Sequence, residues 1–487
     1  MSIADHREWA FSEFGEASIA DLRNVKRLVS MGAAAAYMRG GRVTEVFIDS
    51  RERDAAYDFL ENSRIPPLAI GHASAVATAR RAAREPFVWL AVDGTSLTLP
   101  DSTKSKGMGR LGSGKKGTGT KVITCVVIDP DGVPLGTGDF SWWTRTGPAN
   151  KQGRGKARVA NAKRAVRDKE TQYWVDAIDR TRETFADEAP HVKRWWVMDR
   201  EADSITLLHK AVEWGDWMTI RSNVNRRLIR EESGGFGFVR EALAAQPVVN
   251  EFELTVPQGH KRQARRATMH VSCARVRLDM RENWSKKRRP LTVNAIWVRE
   301  VGTNPPNEEP IEWVLYTNHS VDALEDLHLV VYSYMQRWRV EDFHRTWKSG
   351  ACRVEDTRLG KVDNVIRWAS ILAPVAARAE RLKILSRTDP QQPADAELST
   401  YELKAIRALK RRYGGPSGTV SKNLTLGQAV LYIAEIGGYT GASSGGPPGS
   451  TTIARGLERV RFVAEGMELA DESHPEPTHR KASKKRT

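Results

Sequence analysis

Phe87-Val88-Trp89-Leu90-Ala91-Val92 is an unbroken apolar run that stops at Asp93-Gly94, and it reads as a β-strand closed by a turn signal. A second short strand, Arg194 to Met198, ends in the same way at Asp199. Between them, Val122 to Ile128 and Val133 to Trp143 flank Asp129-Pro130-Asp131-Gly132, a hairpin signal. Asn161 to Phe185 and residues 203–214 read as helices, and Trp217 to Ile220 as a further strand. Three meandering strands followed by alternating helix and strand predict an α/β domain with a mixed sheet.

Outward from this stretch the pattern changes twice. Residues 1–70 read as helical: Asp21 to Tyr37 sets Leu22, Val25, Leu28, Val29 and Gly32/Ala36 on one face and Arg23, Lys26 and Arg27 on another. Pro66-Pro67 marks a boundary. From about 223 to 312 the alternation is that of strands, as in Glu251 to Val256 and Leu291 to Val298. Their turns carry Lys261, Arg262, Arg265, Arg266 and the run Lys286-Lys287-Arg288-Arg289. A long helix is expected from about Ala323 to Lys348, and residues 360–470 read as mostly helical. The scheme is therefore a helical unit (1–70), an α/β unit (71–390) with a β-insertion at about 223–312, a helical unit (391–470) and a disordered basic tail (471–487).

The chain has 487 residues and a net charge of +16, and the charge is concentrated. Residues 101–170 hold 15 Lys+Arg against 6 Asp+Glu and residues 251–300 hold 12 against 5, which together make up the whole excess. Two basic segments in an otherwise balanced protein point to phosphate-contacting surfaces. No apolar stretch is long enough for a membrane span, and the charged start lacks a signal-peptide core, so a cytoplasmic, non-membrane protein is expected. Cys125, Cys273 and Cys352 stand far apart, which speaks against a disulfide framework or a zinc-thiolate site. Gly109 to Lys116 nearly matches a nucleotide-binding P-loop, but Lys116 replaces the magnesium-holding Ser/Thr and a strand follows, so nucleotide hydrolysis is rejected.

Three carboxylates carry the chemistry. Asp93 and Asp199 both end strands, where ligand sites of open α/β sheets form, although an aspartate there also serves as a turn or cap residue. On the long helix, Tyr334, Arg337, Glu341 and Lys348 fall on one stripe. That stripe can be an exposed face with an Arg337–Glu341 pair, or it can offer Glu341 as a third oxygen ligand flanked by cations. Two magnesium ions held by three carboxylates suit in-line phosphoryl transfer.

Val92-Asp93-Gly94-Thr95-Ser96-Leu97, Met198-Asp199-Arg200-Glu201-Ala202-Asp203 and Tyr334 to His344 resemble the DDE motifs of cut-and-paste bacterial transposases of the insertion-sequence-four family. The Tyr-x2-Arg-x3-Glu-x6-Lys signature of that family is complete as Tyr334, Arg337, Glu341 and Lys348. The resemblance runs from Trp9-Ala10 through Trp142-Trp143 to Leu424–Gly427 and the C-terminal helices. It implies an RNase H-like catalytic domain with a β-strand insertion, flanked by N-terminal and C-terminal helical domains for end recognition and dimer contact. It further implies that Asp93, Asp199 and Glu341 bind two Mg2+ ions, with Mn2+ as a substitute. Partners would be double-stranded DNA, both transposon inverted-repeat ends and target, and a second copy of the chain, at the bacterial nucleoid. The activity would be end nicking, hairpin formation and opening, and strand transfer. Tyr334, Arg337, Lys348 and Arg221 match positions that grip DNA, and Trp313 matches an aromatic that stacks on a flipped base. On its strand, Trp313 also reads as an ordinary core residue. The pattern departs at Asn24, beside Arg23, where one relative in that family carries two arginines, and in the Gly/Lys-rich loop 103–121. A metal-dependent endonuclease without strand transfer and an inactive, transposase-derived DNA-binding regulator are the alternatives.

Overall fold

The computed structural model describes residues 3–101, 105–112, 117–145, 166, 169–229, 237–256, 258, 262–282, 284–413, 420–441 and 446–473. Residues 474–487 of the basic tail, Lys261, the centre of the Gly/Lys loop and the start of the helix expected from Asn161 lie outside them, whereas 471–473, expected to be disordered, close the helix Ser450–Ser473.

The apolar run becomes β1 (Phe87–Thr98), in the middle of one mixed sheet of eleven strands. On one side β1 pairs antiparallel with β3 (Thr118–Ile128), whose far edge pairs with β2 (Gly109–Arg110), β4 (Pro134–Thr137) and β5 (Ser141–Trp143). On the other side it pairs parallel with β6 (Lys193–Met198), which pairs parallel with β7 (Trp217–Arg221). The sheet then continues antiparallel through β11 (Glu312–Thr317), β10 (Leu291–Val301), β9 (Arg265–Leu278) and β8 (Asn250–Val256). The β-insertion of the sequence reading thus extends the same sheet.

Strand periodicity explains why β1 has no polar face until Asp93. Trp89 and Ala91 enter one core with Trp195, Val197 and Trp368, while Val88, Leu90 and Val92 enter another with Trp196 and Met198. Helices cover both faces. The first core also takes α1 (Ile3–Phe14), α2 (Leu22–Tyr37), α3 (Val43–Val46), α4 (Ser50–Glu61), α5 (Pro67–Ala82) and the long α11 (Val362–Thr388). The second takes α6 (Thr171–Glu188), α7 (Ile205–Glu213) and α8 (Val239–Ala244). A third core joins the end of α11 to α12 (Thr400–Tyr413), α13 (Leu426–Ile436) and α14 (Ser450–Ser473).

Several expectations are corrected. Pro66-Pro67 lies in the break between α4 and α5, where it caps and opens α5, since proline suits the first helical turn, and the helices on both sides of it share the sheet's core. Leu22 is 75% exposed rather than core-facing, while Met31, Ala33 and Ala35 are buried. β1 does not end at Asp93 but runs on to Thr98 along β3. The helix expected over 323–348 is two helices, α9 (Leu324–Gln336) and α10 (Trp338–Lys348), meeting at Arg337. The hairpin at Asp129 forms as read, with Gly132 at φ 85° and its N–H donating to the Asp129 carbonyl at 3.0 Å. Among the described residues no helix is long and apolar enough to cross a membrane.

Candidate active site

β1 and β6 stay in parallel register from Phe87↔Lys193 to Val92↔Met198. The next residue on each strand is a carboxylate, Asp93 or Asp199. Neighbouring strands lie about 4.8 Å apart, so register alone sets the two backbones side by side at the C-terminal edge of the parallel strands. Asp93 remains in β1 opposite Thr124 of β3. Asp199 has extended backbone and caps a single 3-10 turn, Arg200–Ala202, by accepting the Glu201 N–H at 2.7 Å. It is a cap residue and a site candidate at once.

Glu341 arrives on the first turn of α10, which lies along β1 and β3. The alignment is visible at both ends of the helix. Near its start, the Arg337 guanidinium stands 2.7 Å from Glu341 Oε1 and 3.7 Å from Asp93 Oδ2. Near its end, Lys348 Nζ lies 3.2 Å from Thr95 Oγ1 and 3.7 Å from Glu355 Oε1. Asp93 and Thr95 share a face of β1, and Glu341 and Lys348 share a face of the helix, so strand and helix present matched rows. Between these ends, buried His344 places Nε2 2.7 Å from Thr124 Oγ1, tying the helix to the residue opposite Asp93. Burial, reinforced by the charges of Lys348 and Arg337, pushes His344 down to about 3, so it is neutral at ordinary pH.

The charges of the neighbouring acids act on Asp93. Asp93 is pushed up to about 7, first by burial and then by the charge of Asp199, with Glu341 adding to it. Arg337 and the Gly94 N–H, which donates to Asp93 Oδ1 at 2.7 Å, pull the other way. Burial works against the charge on Arg337, but Tyr334, Glu341 and Asp93 outweigh it and hold that guanidinium above its usual range. Among the described residues, no three His, Cys, Asp or Glu side chains converge closely enough to hold a metal ion. The donor chemistry nevertheless suits a hard divalent cation: three carboxylates, one of them destabilised as an anion by its neighbours. Arg337 supplies the countercharge to Glu341 and Asp93.

The Arg337–Glu341 pair of the plainer sequence reading is therefore realised, but at a buried site rather than on an exposed helix face. Tyr334 and Arg337, expected to grip DNA, are only 2% and 6% exposed. Tyr334 packs edge-on against Trp313 with ring centroids 5.4 Å apart, and Arg221 lies against its hydroxyl. Burial raises the Tyr334 hydroxyl above its ordinary range. Trp313 itself is half-buried. It lines a cavity of about 630 Å3 together with Arg221, Ile311, Met335 and Trp338. Trp338, 52% exposed beside Arg337, was missed as a candidate, as was the His344–Thr124 tie. The spacing of His344, three residues after Glu341, was the available signal for the tie.

The remaining candidates are surface cations. Arg23 is exposed and paired with Asp21 at 2.8 Å, Arg27 pairs with Glu52 at 2.6 Å, and Lys26 is exposed. In the second basic segment Lys286 and Lys287 are exposed. Arg288 pairs with Asp279 at 2.6 Å, and Arg289 pairs with Glu282 and Glu213. A scan against models of known protein families finds none that matches this chain.

Proposed function

We propose that the chain is a DNA transposase of the cut-and-paste DDE type, acting on transposon ends by metal-dependent phosphoryl transfer. The observation that carries this reading is the Val92↔Met198 register, after which Asp93 and Asp199 follow on neighbouring strands, together with the Arg337 guanidinium that faces both Asp93 and Glu341. The strand order supports an RNase H-like core: an antiparallel meander (β4/β5, β3, β1) continued by two parallel strands (β6, β7). In this reading β8–β10 belong to the insertion at about 223–312.

Asp93, Asp199 and Glu341 would hold Mg2+ or Mn2+, which would acidify an attacking water or 3′-hydroxyl and offset charge at the phosphate. The chain's own residues do the positioning. Neutral His344 fixes α10 on Thr124 and so sets the reach of Glu341. Arg337, once released by Glu341, and Lys348 are cations beside the reacting phosphate. Trp313 and Trp338 wall the cavity next to Arg221, where a base pushed out of the stack finds an apolar partner during hairpin formation. The N-terminal helices with Arg23, Lys26 and Arg27 would read the end, and a second copy would hold the other end in the bacterial nucleoid.

The test uses the purified chain, Mg2+ and duplexes carrying the inverted repeats that flank its gene. Nicking, hairpin formation and joining to a target plasmid are expected. Asp93→Asn, Asp199→Asn and Glu341→Gln should each abolish nicking while keeping end binding. Cleavage without joining would leave the endonuclease reading, and binding without cleavage the regulator reading.

A further inference from the structure

The helix that carries Glu341 is held from two sides. Toward the sheet, His344 reaches Thr124 of β3. On another face it meets α11 through polar side chains. Asp342 and Thr346 share one face of α10, and Glu380 and Lys383 share one face of α11, because residues three or four apart are neighbours on a helix. Lys383 Nζ lies 2.9 Å from Asp342 Oδ2 and pairs with Glu380, while the Thr346 hydroxyl donates to Glu380 Oε1. Lys383 Nζ also donates to Ser450 Oγ at 2.9 Å. Ser450 opens α14, and one turn further along α11 Arg387 donates to the Pro448 carbonyl at 2.7 Å. Lys383, Glu380 and Thr346 are only 4%, 2% and 1% exposed.

We infer that Lys383 is a positioning residue for Glu341: it fixes the seat of α10 and makes that seat depend on the first turn of α14. An ammonium has three N–H donors and no acceptor. Here its three partners stand on three different helices, Asp342 on α10, Glu380 on α11 and Ser450 on α14. Phe343 and Trp347 already bury α10 in the first core, but apolar burial is non-directional and fixes rotation and sliding weakly. The ammonium contacts are directional. Stability alone does not call for them, since apolar residues often replace a buried ion pair without loss. Asp342 adjoins Glu341, and at about 100° per residue Glu341 falls between the Asp342 and His344 sides of the helix. The two anchors therefore set its height and rotation together. The effect on α10 stands by itself, whereas the effect on chemistry rests on the metal site proposed above.

The experiment compares the full chain with Ser450→Ala and with the pair Lys383→Met plus Glu380→Gln. The pair removes both buried charges and leaves half-buried Asp342 beside Arg345. Hydrogen exchange read by mass spectrometry needs neither DNA nor metal. Amides of residues 338–348 should exchange about tenfold faster in the pair and severalfold faster in Ser450→Ala, with β9 and β10 unchanged and Tm within about 2 °C of the parent. Nicking of a transposon end supplies the second readout. The pair should need about tenfold more Mn2+ for half-maximal rate, at unchanged end affinity. Unchanged exchange at 338–348, or equal acceleration across the sheet, overturns the inference. Local acceleration with the parent's Mn2+ requirement also overturns it, because α10 would then loosen without displacing Glu341. Should the pair fail to fold, Ser450→Ala decides by the same two measurements. A parent chain that never nicks counts against the transposase reading, and exchange at 338–348 alone then decides whether Lys383 seats α10.

Discussion

At Asp93 one side chain sums the whole site. Its folded-state value near 7 lies above the ordinary carboxylate value of 3.8, so folding favours the protonated form. The sign follows directly. Stability from this group is fully present below pH 3.8, falls as pH rises, and is lost above about 7. In the metal-free protein, stability should therefore decline by about 2–4 kcal/mol between pH 4 and pH 8 on account of Asp93. Asp93→Asn should remove most of that decline and be more stable than the parent at pH 8. Urea titrations at pH 5 and pH 8 without divalent ions measure it, and parallel pH profiles for parent and variant would refute the crowding. Trp313 poses a different residue-scale question, since core packing and base stacking are both open to a half-buried ring. Its place on a cavity wall favours stacking, worth about 1–3 kcal/mol for one base. Trp313→Ala should nick normally, stall roughly ten- to a hundredfold at the hairpin, and melt near the parent Tm. Equal loss at every step with a lowered Tm would instead return Trp313 to the core.

At the scale of elements, the site depends on how α10 sits on β1 and β3. The Thr124–His344 hydrogen bond is a buried polar tie in that contact. His344→Leu leaves the buried Thr124 hydroxyl only its long 3.4 Å donation to the Asp93 carbonyl, which should cost about 1–3 kcal/mol. Thr124→Val in the same chain should recover part of it, because both polar groups are then gone. A urea double-mutant cycle reads the coupling, and strictly additive losses would mean the tie contributes nothing. This contact also shows what sequence could reveal. Strand periodicity made the end of the apolar run at Asp93 legible, as well as the strand before Asp199. The stripe Tyr334–Arg337–Glu341–Lys348 was legible because helical spacing is local. That the helix breaks at Arg337, and that its guanidinium turns onto Asp93, was not. Those facts depend on where β1 lies beneath the helix, and no local pattern encodes that distance. Pro66-Pro67 shows the same limit: proline marks the start of α5 locally, but that the helices before and after it share one core depends on tertiary packing.

For the whole molecule, charge distribution along the chain and charge available at the surface are different quantities. The sequence concentrates its positive excess in two segments, yet several arginines of the second are already paired with acids of the same molecule. Arg265 pairs with Glu300 and Glu308, Arg288 with Asp279, and Arg289 with Glu282 and Glu213. Lys286 and Lys287 sit exposed at the tip of the β9–β10 turn, where Lys286 adopts a left-handed backbone (φ 62°). Counterion release counts only cations that reach phosphates, with about 0.9 of slope in log K against log salt for each contact on duplex DNA. Lys286→Ala with Lys287→Ala should therefore flatten the slope by about 2 and leave the melting temperature nearly unchanged. Arg288→Ala with Arg289→Ala should change the slope less and lower stability, since it strips partners from Asp279, Glu282 and Glu213. Fluorescence anisotropy on a fixed duplex from 50 to 300 mM salt, beside a melting curve for each variant, separates the two. Should the arginine pair dominate the slope, its ion pairs must open on DNA. Should neither pair change it, the turn lies off the DNA and the contacts belong to the first basic segment.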